Sequence, residues 1–193
     1  MITSESLCQL FPKAEEIPPE QRLASPIHQT TWLVDGELRT WSGKRKTVLS
    51  PVCVREADGT PKQLEIGSYP VMGEAESDQA LDAAVKAFDS GRGEWPTKSV
   101  ADRIDCMQDF VKQMVAQRRP VSQLIMWEIG KSIADSEKEF DRTVDYIKQT
   151  LTALKDLDNN SSRFTVVEGT IGQIRRTPLG VVLCMGPYNY PLN

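Results

Sequence analysis

The sequence predicts an α/β protein, with strands first, a helical section in the middle and strand-like segments again at the end. Three observations carry this. Between residues 31 and 73, short β-prone runs alternate with Asp-Gly turn signals. From about residue 77 to about residue 157, apolar residues recur at steps of three and four. From residue 164 to residue 185 the pattern returns to short runs rich in β-branched residues, the last of them apolar throughout.

Residues 1–30 read as an extension. Pro12, Pro18, Pro19 and Pro26 interrupt it and its apolar residues keep no period, which predicts coil with one or two short helical turns. Trp32-Leu33-Val34, the Asp35-Gly36 turn and the run from Glu37 to Trp41 then predict a hairpin. Residues 48–52 and 63–67 form a second pair of antiparallel strands, with Asp58-Gly59 in the turn region between them.

The first helix is expected from an N-cap at Ser77, with Asp78 behind it. Ala80, Leu81, Ala84, Val85 and Phe88 make its apolar face, and Gly91 and Gly93 end it. Ser99 with Asp102 three residues on resembles a capping box, opening a helix whose face is Ile104, Met107, Val111, Met114 and Val115. Pro120 falls in the first turn of the next helix, where its missing N–H costs nothing, and Val121, Leu124 and Ile125 continue the core face up to Gly130. The last helix runs from about Ser132 to about Leu157 on the stripe Phe140, Val144, Ile147, Leu151 and Leu154, and residues 158–162 read as a loop. Residues 164–168 and 170–176 are strand-like. Residues 181–185 read as a strand buried on both faces, with Cys184 as inert packing within it.

At 193 residues the chain suits one domain, or one and a fraction. With 39% hydrophobic and 26% charged residues it is globular in composition. A net charge of −4 offers no electrostatic attraction to nucleic acid or to an anionic membrane. Cys8, Cys53, Cys106 and Cys184 are scattered without a CxxC pair, and His28 is the only histidine. No metal site is therefore expected, and a Ser-His-Asp triad would depend on one histidine in a proline-rich stretch. With no apolar signal core and no membrane-spanning run, the expectation is a reduced, cytoplasmic protein.

Three motifs remain. Pro178-Leu179-Gly180-Val181-Val182 leads through a few apolar residues into Pro187-Tyr188-Asn189-Tyr190-Pro191. Glu128-Ile129-Gly130-Lys131 lies upstream, and Asp35-Gly36-Glu37 further upstream still. In this order, over about residues 32–193, they resemble the aldehyde dehydrogenase superfamily. Within it, the likeness is most nearly to the NADP-dependent non-phosphorylating glyceraldehyde-3-phosphate dehydrogenases. Glu139-Phe140-Asp141-Arg142-Thr143 and Tyr190 carry that finer likeness.

The resemblance implies the N-terminal part of the aldehyde dehydrogenase fold. Residues 31–160 would begin the cofactor-binding domain, residues 163–177 would be an oligomerisation hairpin, and residues 178–193 would start a Rossmann-like sheet. It implies NADP or NAD as cofactor, a small-molecule aldehyde as substrate, and a homodimer or homotetramer when intact. The implied reaction is oxidation of glyceraldehyde 3-phosphate to 3-phosphoglycerate through a cysteine thiohemiacetal, with Asn189 as oxyanion donor. Arg142 would bind the substrate phosphate and Tyr190 would contact substrate. Met185, Gly186, Pro187 and Tyr188 would run beside the cofactor. The family's nucleophilic cysteine and general base lie beyond these motifs, so the chain is expected to be a fragment that is inactive alone.

Local readings stand beside these roles. Asn189 between two prolines also suits a plain turn, and Met185 suits plain core. Arg142 lies off the apolar stripe, where it can either reach a cleft or pair with Glu139 or Asp145, each three positions away. Two other functions compete. One is an aldehyde dehydrogenase for a semialdehyde or betaine aldehyde, in which Arg142 is solvated. The other is a non-catalytic helical interaction module, which has no need of the Pro-Tyr-Asn-Tyr-Pro run.

Overall fold

The structure, a computed structural model, describes residues 8–23 and 25–193. The first seven residues of the extension lie outside the described residues. Two 3₁₀ turns, Ala14–Glu16 and Pro19–Gln21, follow in its proline-rich part, as expected. The extension also holds strand β1 (Ile27–His28), which the sequence did not reveal. β1 is two residues long and pairs in parallel with residues forty positions later, so no local pattern marks it. The histidine is structural here, with Nδ1 of His28 lying 2.9 Å from the Ser68 hydroxyl.

The expected hairpin is β2 (Thr31–Val34) and β3 (Glu37–Thr40). Asp35 and Gly36, both at positive φ, make its two-residue turn, whose twist suits antiparallel strands. The second pair is longer than expected, at β4 (Arg45–Arg55) and β5 (Pro61–Pro70). A register irregularity between Val48 and Cys53 lets β4 bend around Ser50 and Pro51. The three-stranded sheet has the order β1-β5-β4. Gly67 is required where β1 meets β5, since a Cβ there would stand 2.0 Å from the Ile27 carbonyl oxygen.

Helix α1 (Glu74–Phe88) begins before the expected Ser77. Its cap is Gly73, whose N–H donates to the Glu76 carboxylate at 2.7 Å, so the acidic first turn supplies the start signal. A single turn, α2 (Glu94–Thr97), leads to α3 (Val100–Ala116), where the Ser99 hydroxyl accepts the Asp102 N–H as the spacing predicts. Helix α4 (Arg118–Ile129) has Pro120 in its first turn and stops at Gly130 in the left-handed conformation. Helix α5 (Ile133–Ser161) is capped by Ser132 and runs four residues beyond Leu157. The expected loop at 158–162 is helical to Ser161 because the polar run holds no glycine or proline to stop it, and the Ser161 hydroxyl bonds back to the Leu157 carbonyl.

Two cores share α4. On one side Ile17, Val54, Ile66 and Trp127 join the sheet, the N-terminal turns and α4. The Trp127 ring N–H donates to the Gln21 carbonyl, tying the proline-rich segment down. On the other side Val111, Phe140 and Val144 join α3, α4 and α5, with Leu192 from the C-terminal segment packed against them.

The last part departs most from expectation. β6 (Thr165–Val167) and β7 (Thr170–Gly172) form the expected hairpin around Glu168 and Gly169, but β7 ends at Gly172 instead of Arg176. Residues 181–185 form no strand and are exposed, Cys184 and Met185 included. A strand exists only when neighbouring strands take its N–H and C=O groups, and among the described residues none lies beside this run. The expected buried strand is therefore not formed here, since apolar composition cannot supply a partner.

Candidate active site

Two stretches far apart in the chain, residues 131–139 and residues 189–192, converge on one buried carboxylate. Glu139, on the second turn of α5, is 3% exposed. Its Oε2 lies 2.6 Å from Lys131 Nζ, and its Oε1 accepts the Leu192 N–H at 3.2 Å. Lys131 Nζ also donates to the Asn189 carbonyl oxygen at 2.8 Å and stands 3.7 Å from the centre of the Tyr190 ring. The side chains of the ion pair are 19% and 1% exposed. Such a pair holds because each charge answers the other's lost hydration.

Local sequence explains how these groups meet. Gly130 at φ 73 turns the chain sharply at the end of α4, with its N–H on the Met126 carbonyl. Ser132 caps α5 by accepting the Asp135 N–H at 3.1 Å. Lys131 is therefore wedged between a helix stop and a helix start. Its side chain lies along the first turns of α5, where Glu139 waits. The hydroxyl of Ser132 also donates to the Asp135 carboxylate at 2.8 Å and holds that carboxyl below its ordinary pKa.

The predicted site residues fall into two groups. Asn189 and Tyr190 are brought to the Lys131–Glu139 pair through the Asn189 backbone and the Tyr190 ring. The Asn189 side chain is exposed and, among the described residues, makes no hydrogen bond. Met185, Gly186, Pro187 and Tyr188 lead into this turn as open backbone, with Met185 82% and Tyr188 90% exposed. Among the described residues Met185 is thus not packed in a core.

Arg142 is exposed on α5. Neither pairing considered for it forms among the described residues, because Glu139 is turned to Lys131 and Asp145 makes no ion pair. No hydrogen bond links Arg142 to residues 185–190 among the described residues. Its neighbour Asp141 is held instead by Arg118 at 2.7 and 2.8 Å, and that guanidinium keeps the Asp141 carboxyl below its ordinary pKa.

Lys131 and Glu139 were visible in the sequence as motif members without a site role. A signal was present. Ser136, Glu139, Phe140, Thr143 and Val144 occupy positions i, i+3, i+4, i+7 and i+8, so Glu139 stands on the buried face of α5. An acid in such a position requires a buried partner. The wider grooves lie elsewhere: one of about 1180 Å³ beside Leu49, Val54 and Leu64, and one of about 570 Å³ between α3 and α5 beside Ile104, Leu151 and Lys155, neither lined by these residues.

Residues 56–193 match the aldehyde dehydrogenase family. Malonate-semialdehyde dehydrogenase 2 of Shouchella clausii (strain KSM-K16) is 30% identical over 127 residues, which are 66% of this chain and 25% of that protein. The 1-pyrroline-5-carboxylate dehydrogenase from Thermus, crystallised with bound NAD, superposes with a TM-score of 0.71 at 22% identity, over 86% of this chain and 30% of that one. The NADP-dependent glyceraldehyde-3-phosphate dehydrogenase of Bacillus halodurans C-125, complexed with NADP, superposes with a TM-score of 0.65 at 24% identity, over 86% and 33%. At these identities the superpositions establish the fold. The chain spans about a quarter of the length of the curated relative and about a third of the solved structures.

Proposed function

The chain belongs to the aldehyde dehydrogenase family, and from that premise we propose that it supplies the oxyanion donor and one wall of the nicotinamide site in an NAD(P)-dependent oxidation of an aldehyde. The observation that carries this reading is the Pro187–Pro191 turn, anchored through the Asn189 carbonyl while the Asn189 amide is left exposed and unengaged. Attack of a thiolate on an aldehyde places a negative charge on the carbonyl oxygen. A neutral amide N–H held in position stabilises that charge without adding one of its own, at any pH the enzyme meets.

Met185, Gly186, Pro187 and Tyr188 fit one wall of the cofactor site. They form no strand or helix, and the side chains at both ends are exposed. NAD(P) held there would supply the hydride acceptor. The chain's own contribution is to line the cofactor and to hold the Asn189 amide toward the reacting carbonyl oxygen.

For the substrate, our reading is glyceraldehyde 3-phosphate with NADP. Arg142 supports it, as an exposed guanidinium on α5 with no carboxylate partner among the described residues, free to grip a phosphate. Tyr190, next to the donor in sequence, is the other residue this reading assigns to the substrate. A semialdehyde is the second reading, favoured by the malonate-semialdehyde dehydrogenase likeness. The β6–β7 hairpin, with Phe164, Val166 and Ile171 exposed, is proposed to dock on another subunit of a homodimer or homotetramer.

The test is steady-state NAD(P)H formation by the intact protein with phosphorylated aldehydes, semialdehydes and betaine aldehyde. Asn189→Ala is expected to lower kcat by about 10²–10³ for every aldehyde oxidised, and a loss under about twofold would remove the donor role. Arg142→Ala is expected to impair phosphorylated aldehydes alone. Equal loss on all substrates, or none, would favour the semialdehyde reading. The 193-residue polypeptide by itself is expected to reduce no NADP with glyceraldehyde 3-phosphate.

A further inference from the structure

We propose that Lys131 and Glu139 are positioning residues that act through the backbone of the donor turn, setting where the Asn189 amide points. The inference rests on the reading of Asn189 as oxyanion donor. Glu139 uses both oxygens, one for Lys131 Nζ and one for the Leu192 N–H. Lys131 passes the hold on to the Asn189 carbonyl at 2.8 Å and covers the Tyr190 ring at 3.7 Å. The segment 189–192 is thus held at one end by Lys131 and at the other by Glu139, and Asn193 N–H closes it by donating to the Tyr190 carbonyl at 3.2 Å. Leu192 adds an apolar anchor against Phe140 and Val144.

Every hydrogen bond that holds the turn engages its backbone, and none engages the Asn189 side-chain amide among the described residues. The division suits a donor. Oxyanion stabilisation works when the N–H is already in place before charge develops, so that nothing need reorganise. A turn flanked by Pro187 and Pro191 has restricted φ at those two positions but no means of fixing its own orientation on the body of the protein. Lys131 and Glu139 provide that orientation, because α5 is a rigid element and Glu139 sits on its buried face.

The experiment has two arms. In the 193-residue chain, amide exchange at Leu192 is measured relative to the core amide of Val144, in wild type, Lys131→Met, Lys131→Arg and Glu139→Gln. Lys131→Met is expected to speed Leu192 exchange at least about tenfold against Val144, and Lys131→Arg, which keeps the charge, is expected to restore most of the protection. Lys131→Arg and Lys131→Met also keep the test open if Glu139→Gln fails to fold. In the intact protein, kcat is measured for Lys131→Met alone and combined with Asn189→Ala. A residue acting through Asn189 loses its effect once the amide is gone, so the double variant should fall within about twofold of Asn189→Ala. KM for the aldehyde should move less than kcat.

Unchanged relative exchange at Leu192 in Lys131→Met, or a kcat loss that multiplies fully with that of Asn189→Ala, would overturn the proposal. Should Asn189→Ala leave kcat intact, the donor reading falls on its own, and the exchange arm still decides whether Lys131 and Glu139 hold the turn.

Discussion

Glu139 is the residue on which most of the site's geometry turns, and its cost explains its partners. A carboxylate with 3% exposure has lost nearly all its water, so it must be met by charge and by N–H donors. Lys131 meets one oxygen and the Leu192 amide meets the other. Removing Lys131 strands the acid. Lys131→Met is therefore expected to lower stability by about 3 kcal/mol, toward the lower end for breaking a buried pair, since Lys131 keeps part of its side chain exposed. Urea unfolding of the 193-residue chain measures this. Arg142 is the opposite case. It is exposed and free of ion pairs among the described residues, so Arg142→Ala should leave the urea midpoint unchanged while altering substrate choice.

At the scale of elements, the helices are set by their ends. Ser99 and Ser132 each accept a backbone N–H in the first turn of the helix they start. Ser132→Ala is expected to cost about 1 kcal/mol and to loosen the Lys131 connection that follows from that cap. Between α4 and α5, Arg118 and Asp141 form a two-pronged pair. Arg118 holds the Asp141 carboxyl below its ordinary value of 3.8. A depressed carboxylate contributes stability that is fully present above the unfolded value. That contribution is lost as pH falls through the folded one. Asp141→Asn should therefore lower stability modestly at neutral pH and flatten the acid limb below about pH 4, where variant and wild type converge, as read by denaturant midpoints across pH. In the sheet, Gly67→Ala is expected to break the β1–β5 pairing, because the added methyl group would lie 2.0 Å from the Ile27 carbonyl oxygen. Faster exchange at Gln29, whose N–H donates to the Ser68 carbonyl, would report it.

For the molecule as a whole, burial is uneven. Two cores meet at α4, while the hairpin β6–β7 and residues 179–188 leave a run of apolar side chains in water. A two-stranded ribbon of this kind is marginal by itself and gains stability by covering its apolar face. On the proposed assembly, light scattering on the 193-residue chain should show self-association that Val166→Lys and Ile171→Lys weaken, the two positions being cross-strand partners. Among the described residues, no helix is long and apolar enough to cross a membrane.

Much of this was legible locally. The Asp35-Gly36 hairpin, the Ser99 cap, the Gly130 stop and the stripe on α5 depend on neighbours within a few residues, and a sequence records such neighbours directly. The family motifs were legible for the same reason, being contiguous. What only tertiary structure decided were partnerships across long separations. β1 exists because β5 lies beside it, and residues 181–185 form no strand and are exposed because, among the described residues, no strand lies beside them. Lys131, Glu139 and the Asn189 turn meet across 58 residues of chain. Backbone hydrogen bonds and buried charges are satisfied by whatever the fold brings near, so a one-dimensional pattern states the need for a partner and three dimensions choose it.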